Sequence, residues 1–351
     1  MASAARTPPG TAHWEQVWIA SPQRSRGMER IDFTSYDRII VACSGGKDSV
    51  ATLLHLLECG APVERFELWH HDVDGQGASF MDWPSTTPYV RALADHFEIP
   101  CYLSWREGGL KGEILRNGVP TAAVLCETPA GLVRRGGAGP VGTRLRFPQV
   151  SASLTTRYCS ATAKIDVADM ALRAQDRFLG KRTLFVTGER AEESPNRARY
   201  AVFGPHRTDT RDSRRRCRHV DHYRPVHTWS EAEIWAILQR HRIIPPLPYQ
   251  LGFGRLSCAL CVFMSVDQAA TLRHIMPERF DALAVLEQTF GCTMKRECGL
   301  HQFADRGRVY AAALERPDIV TRALEHQWHG SVVTSRWVLP AGAFGESAGP
   351  E

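Results

Sequence analysis

The sequence predicts an α/β fold: a doubly wound parallel sheet with a helical, cysteine-containing C-terminal extension. Short runs rich in β-branched residues alternate with segments of helical spacing between Arg38 and Leu103. Strand–helix–strand repetition of that kind implies parallel strands with helices on both faces. The composition suits a globular chain, with 351 residues, 43% hydrophobic and 23% charged. That is enough for one large α/β domain or two small ones at roughly 100–200 residues each, and it excludes disorder, collagen and coiled coil. No apolar run approaches the roughly 18 residues needed to span a membrane. Met1–Gly10 lacks the basic-then-apolar pattern of a secretion signal. A cytoplasmic protein with no membrane partner is expected.

Met1–Arg30 is rich in small residues, Pro and Arg, and reads as a flexible leader (1–30). Arg38-Ile-Ile-Val-Ala-Cys43 is an apolar, β-branched run bounded by Ser44-Gly45-Gly46, the pattern of a buried strand entering a turn. From Asp48 to Glu58, apolar residues at Val50, Leu53, Leu54 and Leu57 give helical spacing, and Gly60 stops the helix. Arg65–His70 reads as the second strand, Pro88–Phe97 as the second helix and Ile99–Leu103 as the third strand. The Gly- and Pro-rich stretch 108–150 has little periodicity and is expected as an inserted loop or lid over the sheet's carboxyl edge.

Cys159–Phe178 reads as a helix and Arg182–Thr187 as a further strand. The polar stretch Gly188–Asp221 holds a basic cluster, Arg214-Arg215-Arg216 and Arg218. Ser230 is a good N-cap for the next helix, with Glu233 as its capping-box partner. Helical patterns follow at Ser265–Ile275 and Pro277–Thr289, and the tail from Pro340 is expected to fray. The domain plan is an α/β domain over 31–245, a helical cysteine-containing region over 246–335 and a flexible tail over 336–351.

Ser44-Gly45-Gly46-Lys47-Asp48-Ser49 sits where an open parallel sheet binds ligands, just beyond a strand end. Two glycines allow a sharp turn and close approach to an anion, and the helix start offers unpaired N–H groups and a positive dipole end. Lys47 adds a charge, and Ser44 and Ser49 add hydroxyls. The string is built for phosphate, most naturally a pyrophosphate; the alternative is a Gly-rich turn with a chance lysine. Val41 and Asp48 exclude a Walker A loop. Downstream, Asp72 and Asp74 read equally as Mg²⁺ or nucleotide ligands and as a solvated turn.

The Ser-Gly-Gly-Lys-Asp-Ser string resembles the PP-loop of the ATP-pyrophosphatase (adenine nucleotide alpha hydrolase-like) superfamily. Four further segments, in order, resemble the phosphoadenosine phosphosulfate (PAPS) reductase family within it. They are Arg157-Tyr158-Cys159 before a helix containing Lys164; Gly188-Glu189-Arg190 through Arg197; Arg224-Pro225-Val226 with Trp229-Ser230-Glu231 and Trp235; and Pro245–Tyr249 leading to Cys258-Ala259-Leu260-Cys261. The resemblance implies an ATP-dependent enzyme that splits ATP, with Mg²⁺, between its α and β phosphates to activate a substrate for sulfur transfer. It implies binding by Ser44, Gly45, Gly46, Lys47, Asp48, Ser49, Asp72, Gly188, Arg190 and Arg197, with Lys47 and Asp48 in catalysis. Arg190, Arg197 and Arg199 would grip phosphate or sulfate oxygens bidentately or form a solvated basic loop.

Reductases of the family attack their substrate through the Cys of a Glu-Cys-Gly-x-His string. Glu297-Cys298-Gly299-Leu300-His301 fits it, making thiol-dependent PAPS reduction through Cys298 a rival activity; a non-catalytic ATP-binding module is a third. Family reductases generally lack an intact PP-loop, which this chain keeps. Members with both the loop and cysteine clusters include components of DNA phosphorothioation systems.

Ten cysteines in a chain without a signal point to reduced thiols or metal ligands. Cys258-x-x-Cys261 is the usual half of a metal or cluster site. With Cys159 and Cys298 it would hold a 4Fe–4S cluster; with Cys298 and His301 it would hold Zn²⁺; or the thiols are plain. The partners expected are a nucleotide, a sulfur donor (a cysteine desulfurase or thioredoxin-like protein), nucleic acid through the Arg214–Arg218 cluster, and a second copy of the chain. Net charge is +5, which suits an anionic ligand without specifying nucleic acid.

Overall fold

A computed structural model of the protein describes residues 31–345; the expected leader and the end of the expected tail lie outside the described residues. In chain order the first elements are β1 (Arg38–Ala42), α1 (Lys47–Glu58), β2 (Phe66–Asp72), α2 (Thr86–His96), β3 (Cys101–Arg106) and α3 (Gly109–Ile114). Short strands β4 (Val119–Pro120), β5 (Val124–Thr128), β6 (Gly131–Arg135) and β7 (Val141–Gly142) follow. Then come α4 (Tyr158–Ser160), a π turn over Ala161–Ile165, α5 (Asp166–Arg173), β8 (Arg182–Val186), β9 (Phe203–Pro205), β10 (His219–Tyr223) and α6 (Glu231–Arg240). The remaining helices are α7 (Leu247–Gln250), α8 (Val266–Ile275), α9 (Pro277–Phe290), α10 (Leu300–Ala304), α11 (Ala311–Glu315) and α12 (Pro317–Ala323).

The main sheet has eight strands in the order β6-β5-β3-β2-β1-β8-β10-β9. Strands β3, β2, β1, β8 and β10 run parallel, so the fold is α/β as expected. The chain reverses direction across the sheet between β1 and β8, which opens a crevice at their carboxyl ends. One face is covered by α1, α2 and α6 around Val50, Leu53, Leu54 and Ile237, all fully buried. The other face is covered by α5, through Leu172, and by Phe178 of the turn after it, against Ile40 and Trp69. Each fully buried aliphatic or aromatic side chain contributes about 1.5–3 kcal/mol. A third cluster gathers α7–α12 around Phe280, Leu283 and Leu300 and reaches Trp83, Leu110 and Phe147 of the α/β part.

The stretch 108–150 is more regular than its composition suggests. Its residues 124–135 form a hairpin, β5–β6, that pairs antiparallel with β3 and widens the sheet. Turn residues hid short strands there whose side chains are largely exposed. Ser230 caps α6 as expected, accepting from the Glu233 N–H while the Glu233 carboxylate accepts from the Ser230 N–H. The tail from Pro340 does not fray up to Gly345, because the Gly342 N–H donates to the Tyr249 carbonyl at 2.8 Å.

Two glycines seat the loop after β2. Gly75 and Gly109 have φ of +74° and +60°, and a Cβ on Gly109 would stand 2.5 Å from the Asp74 carbonyl oxygen. Gly109→Ala is expected to lower the unfolding free energy by roughly 1–3 kcal/mol through overpacking and backbone strain, measured from urea melts.

Candidate functional site

The crevice at the carboxyl ends of β1 and β8 is a cavity of about 820 Å³, within the range of small-molecule and cofactor sites. Ser44, Gly46, Lys47, Asp48 and Ser49 line one end. Gly45 makes the turn with φ of +80°, and Gly46 stands at the N-cap of α1. The first turn of α1 thus presents its N–H groups and dipole to the cavity. Gly188, after β8, packs on this turn so closely that a Cβ would lie 2.8 Å from the Asp48 carbonyl oxygen.

Lys47 is only 2% exposed. Its Nζ donates to the Gly254 carbonyl at 3.1 Å and pairs with Asp48 and Glu231, each at 3.7 Å. Its backbone N–H donates to the Tyr249 hydroxyl at 3.2 Å. Burial works against its charge, but Tyr249, Asp48 and Glu231 outweigh that and hold its pKa above the ordinary lysine value. The phosphate loop therefore carries a fixed, fully formed positive charge.

Several expected ligands are otherwise engaged. Arg190, 3% exposed, donates to Asp48 and Glu192. It ties the loop after β8 to α1 instead of offering a free fork to an anion. Arg197 lines the cavity but pairs with Glu193. Asp72 is engaged by its own loop: its Oδ1 accepts from the N–H groups of Asp74 and Gly75, and its Oδ2 from both nitrogens of Gln76. Asp74 accepts from the N–H groups of Phe80, Met81 and Asp82. The two carboxylates order the loop that brings Asp82 to the cavity.

The other end of the cavity is lined by Arg157, Cys159, Lys164, Cys258 and Cys261. Arg157 is 8% exposed, and its Nε and Nη1 are enclosed without a partner. Lys164 sits on the π turn and shows its surface to the cavity. Burial pushes the thiols of Cys159 and Cys258 above their ordinary value, with Lys164 pulling the other way. They are therefore protonated at neutral pH, and a thiolate forms only when a cation or reaction partner draws the proton away. Sequence reasoning placed Arg157 and Lys164 in motifs without giving either a role. Glu231 and Tyr249 likewise stood in motifs without a role, and Asp82 was missed, for which only burial is a signal.

Cys298 does not join these thiols. It precedes α10 outside the cavity lining, near Lys295, whose Nζ donates to the Val262 and Met264 carbonyls at 2.7 and 2.6 Å. His301 turns to Asp281, 3.4 Å away. Among the described residues no group of three or more His, Cys, Asp or Glu side chains is placed to hold a metal ion. The expected four-cysteine cluster site and the expected Cys258–Cys261–Cys298–His301 zinc site do not fit this arrangement.

The comparisons with known proteins bear on this cavity. Residues 146–264 match the family model described as "Phosphoadenosine phosphosulfate reductase domain". Over those residues the chain is similar to that family. The matched segment spans both Arg157 and Cys261, while the phosphate loop at 44–49 lies before it and Cys298 after it. An "Uncharacterized 37.8 kDa protein in gpa 5'region" of Escherichia phage 186 is 29% identical over 153 residues, covering 43% of this chain and 42% of the phage protein. The chain thus spans less than half of that relative's length. Among the described residues no helix is long and apolar enough to cross a membrane.

Asp82 gives the cavity a measurable pH response. Its carboxyl is pushed up to about 7, by burial first and then by Asp74, against the pull of Lys164. An unfolded Asp titrates near 3.8, so between these values the folded chain holds the extra proton. Stability from this group is greatest at low pH and falls as pH rises through 7. Asp82→Asn is expected to flatten the fall in urea midpoint between about pH 5 and about pH 8; an unchanged slope rules the assignment out.

Proposed function

We propose that the chain binds MgATP as substrate and cleaves it between the α and β phosphates, activating a second substrate for sulfur transfer. The observation that carries this reading is that the phosphate loop and the thiols of Cys159, Cys258 and Cys261 line one cavity. The α1 N-terminus and the Lys47 charge suit a departing pyrophosphate, whose negative charge grows as the bond breaks. An oxygen of the acceptor attacks the α phosphorus, and the bond to the bridging oxygen breaks with its electron pair leaving on pyrophosphate. A sulfur carried as a persulfide on Cys258 or Cys261, supplied by a cysteine desulfurase, then displaces AMP. Attack by the neighbouring thiol frees the sulfur onto the product and leaves a disulfide, which a thioredoxin-like protein reduces.

Arg157, with two enclosed nitrogens lacking a partner, and Lys164 place positive charge at the thiol end of the cavity, which suits an anionic acceptor. A nucleic acid is one such acceptor, but the Arg214–Arg216 loop precedes the amino end of β10, whereas the cavity opens at the carboxyl ends. The rival activity, PAPS reduction through Cys298, is disfavoured by the position of Cys298 off the cavity.

Lys47→Ala is expected to cut ATP affinity and pyrophosphate release at least tenfold, the scale on which one charged contact acts, measured by calorimetry and a coupled pyrophosphate assay with a sulfur donor present. Unchanged release in the variant removes the mechanism. Arg157→Ala is expected to leave ATP affinity intact while lowering turnover of the complete reaction.

A further inference from the structure

The segment 340–345 returns from the C-terminal helices to the phosphate loop and touches both groups that hold the Lys47 ammonium. The first is the Gly254 carbonyl, which accepts from Nζ at 3.1 Å. Gly342 lies against the residues just before it, so tightly that a Cβ would stand 2.1 Å from the Phe253 carbonyl oxygen. A Cβ on Gly345 would lie 3.6 Å from the Gly254 Cα. The second is Glu231 Oε1, 3.7 Å from Nζ. The Phe344 N–H donates to that same oxygen at 3.2 Å, and the Trp235 Nε1 donates to it at 3.0 Å.

The segment is held by its backbone more than by its apolar side chains. Gly342 donates to the Tyr249 carbonyl at 2.8 Å, and Tyr249 in turn accepts the Lys47 N–H through its hydroxyl. Trp337 anchors the approach by donating to the Ile243 carbonyl at 2.7 Å. Phe344, by contrast, is 57% exposed and adopts φ of +58°, a conformation costly for a bulky residue. A segment serving only to cover apolar surface would bury that ring. Its contacts converge instead on the acceptors of one ammonium.

We infer that residues 340–345 form a strap that positions Lys47 for phosphate, by fixing the Gly254 carbonyl and the Glu231 carboxylate between which its ammonium is held. The inference rests on reading the loop as an ATP site. Gly342 is a positioning residue, since no side chain fits where it meets Phe253. Phe344 is one through its N–H.

The test compares four proteins with the wild type: a truncation after Leu339, Gly342→Ala, Glu231→Gln, and the truncation combined with Glu231→Gln. Phe344→Gly serves as control, because it keeps the N–H and tolerates the positive φ. ATP affinity, and the kcat and KM of pyrophosphate release, are read well below each melting temperature. Truncation and Gly342→Ala are expected to lower kcat/KM for ATP by about ten- to a hundredfold, the cost of a misplaced group, while Phe344→Gly stays near wild type. Glu231→Gln is expected to add little to the truncation, because both act on the same ammonium. Fully additive effects mean a merely structural strap and overturn the inference. Should the truncated chain fail to fold, Gly342→Ala decides: wild-type kcat and KM overturn it. If Lys47→Ala leaves ATP binding intact, the nucleotide reading itself has failed; if Lys47→Ala abolishes binding and the strap variants behave as wild type, only the strap is wrong.

Discussion

A lysine ammonium taken almost wholly out of water must be matched by charge and hydrogen bonds, or it is lost as a charge. Lys47 is in that position, and much of the architecture around the cavity follows from it. Its partners come from distant parts of the chain: Asp48 beside it, Glu231 at the start of α6, and Tyr249 and Gly254 after α7 begins. Meeting that requirement draws the segment carrying Cys258 and Cys261 against the phosphate loop. Tyr249 contributes twice, since its hydroxyl also accepts the Leu256 N–H at 3.0 Å. One buried cation thus draws on both halves of the cavity wall.

The balance of charge along that wall is uneven. Near the phosphate loop the acids are matched by cations, Asp48 with Arg190 and Lys47, Glu193 with Arg197, and Glu189 with Arg224. At the thiol end the balance tips the other way. The guanidinium of Arg157 has two enclosed nitrogens without acceptors, and Asp82, which also lines the cavity, is drawn towards its neutral form. Leaving buried donors unsatisfied is costly, and such groups in a cavity wall are explained most simply by a ligand that completes them. On the proposed reading, with ATP on the phosphate loop, the excess suits an anionic second substrate at this end.

Much of this was legible in the residues. The first strand, the Gly turn and the first helix were clear because a fully buried parallel strand is continuously apolar and its following helix is strongly periodic. The capping box at Ser230 and Glu233 is a local code, and it held in detail. What was not legible is which groups reach a given side chain in the folded chain. Asp72 and Asp74 have the chemistry of ligands, but the same oxygens order a loop when backbone N–H groups reach them first. The β5–β6 hairpin carries exposed residues and many turn formers, so alternation was too weak to find. Gly342 looks like tail composition; only the nearness of the Phe253 carbonyl shows why nothing larger fits.

Cys298 illustrates the same limit in the site itself. The string around it matches a reductase signature, yet its neighbours serve the fold: Leu300 is fully buried, and its N–H donates to Glu287 at 2.8 Å. Glu287 also accepts the Met294 N–H at 2.7 Å, so one carboxylate closes the loop that contains the cysteine. A nucleophile in a terminal arm must be able to reach the bound nucleotide. This one is clamped from both sides of its loop, with α11 and α12 still to follow it in the chain. A short motif records which residue types stand together, whereas reactivity depends on where the loop is tied. Here the ties keep the thiol out of the cavity, whose wall holds those of Cys43, Cys159, Cys258 and Cys261 instead.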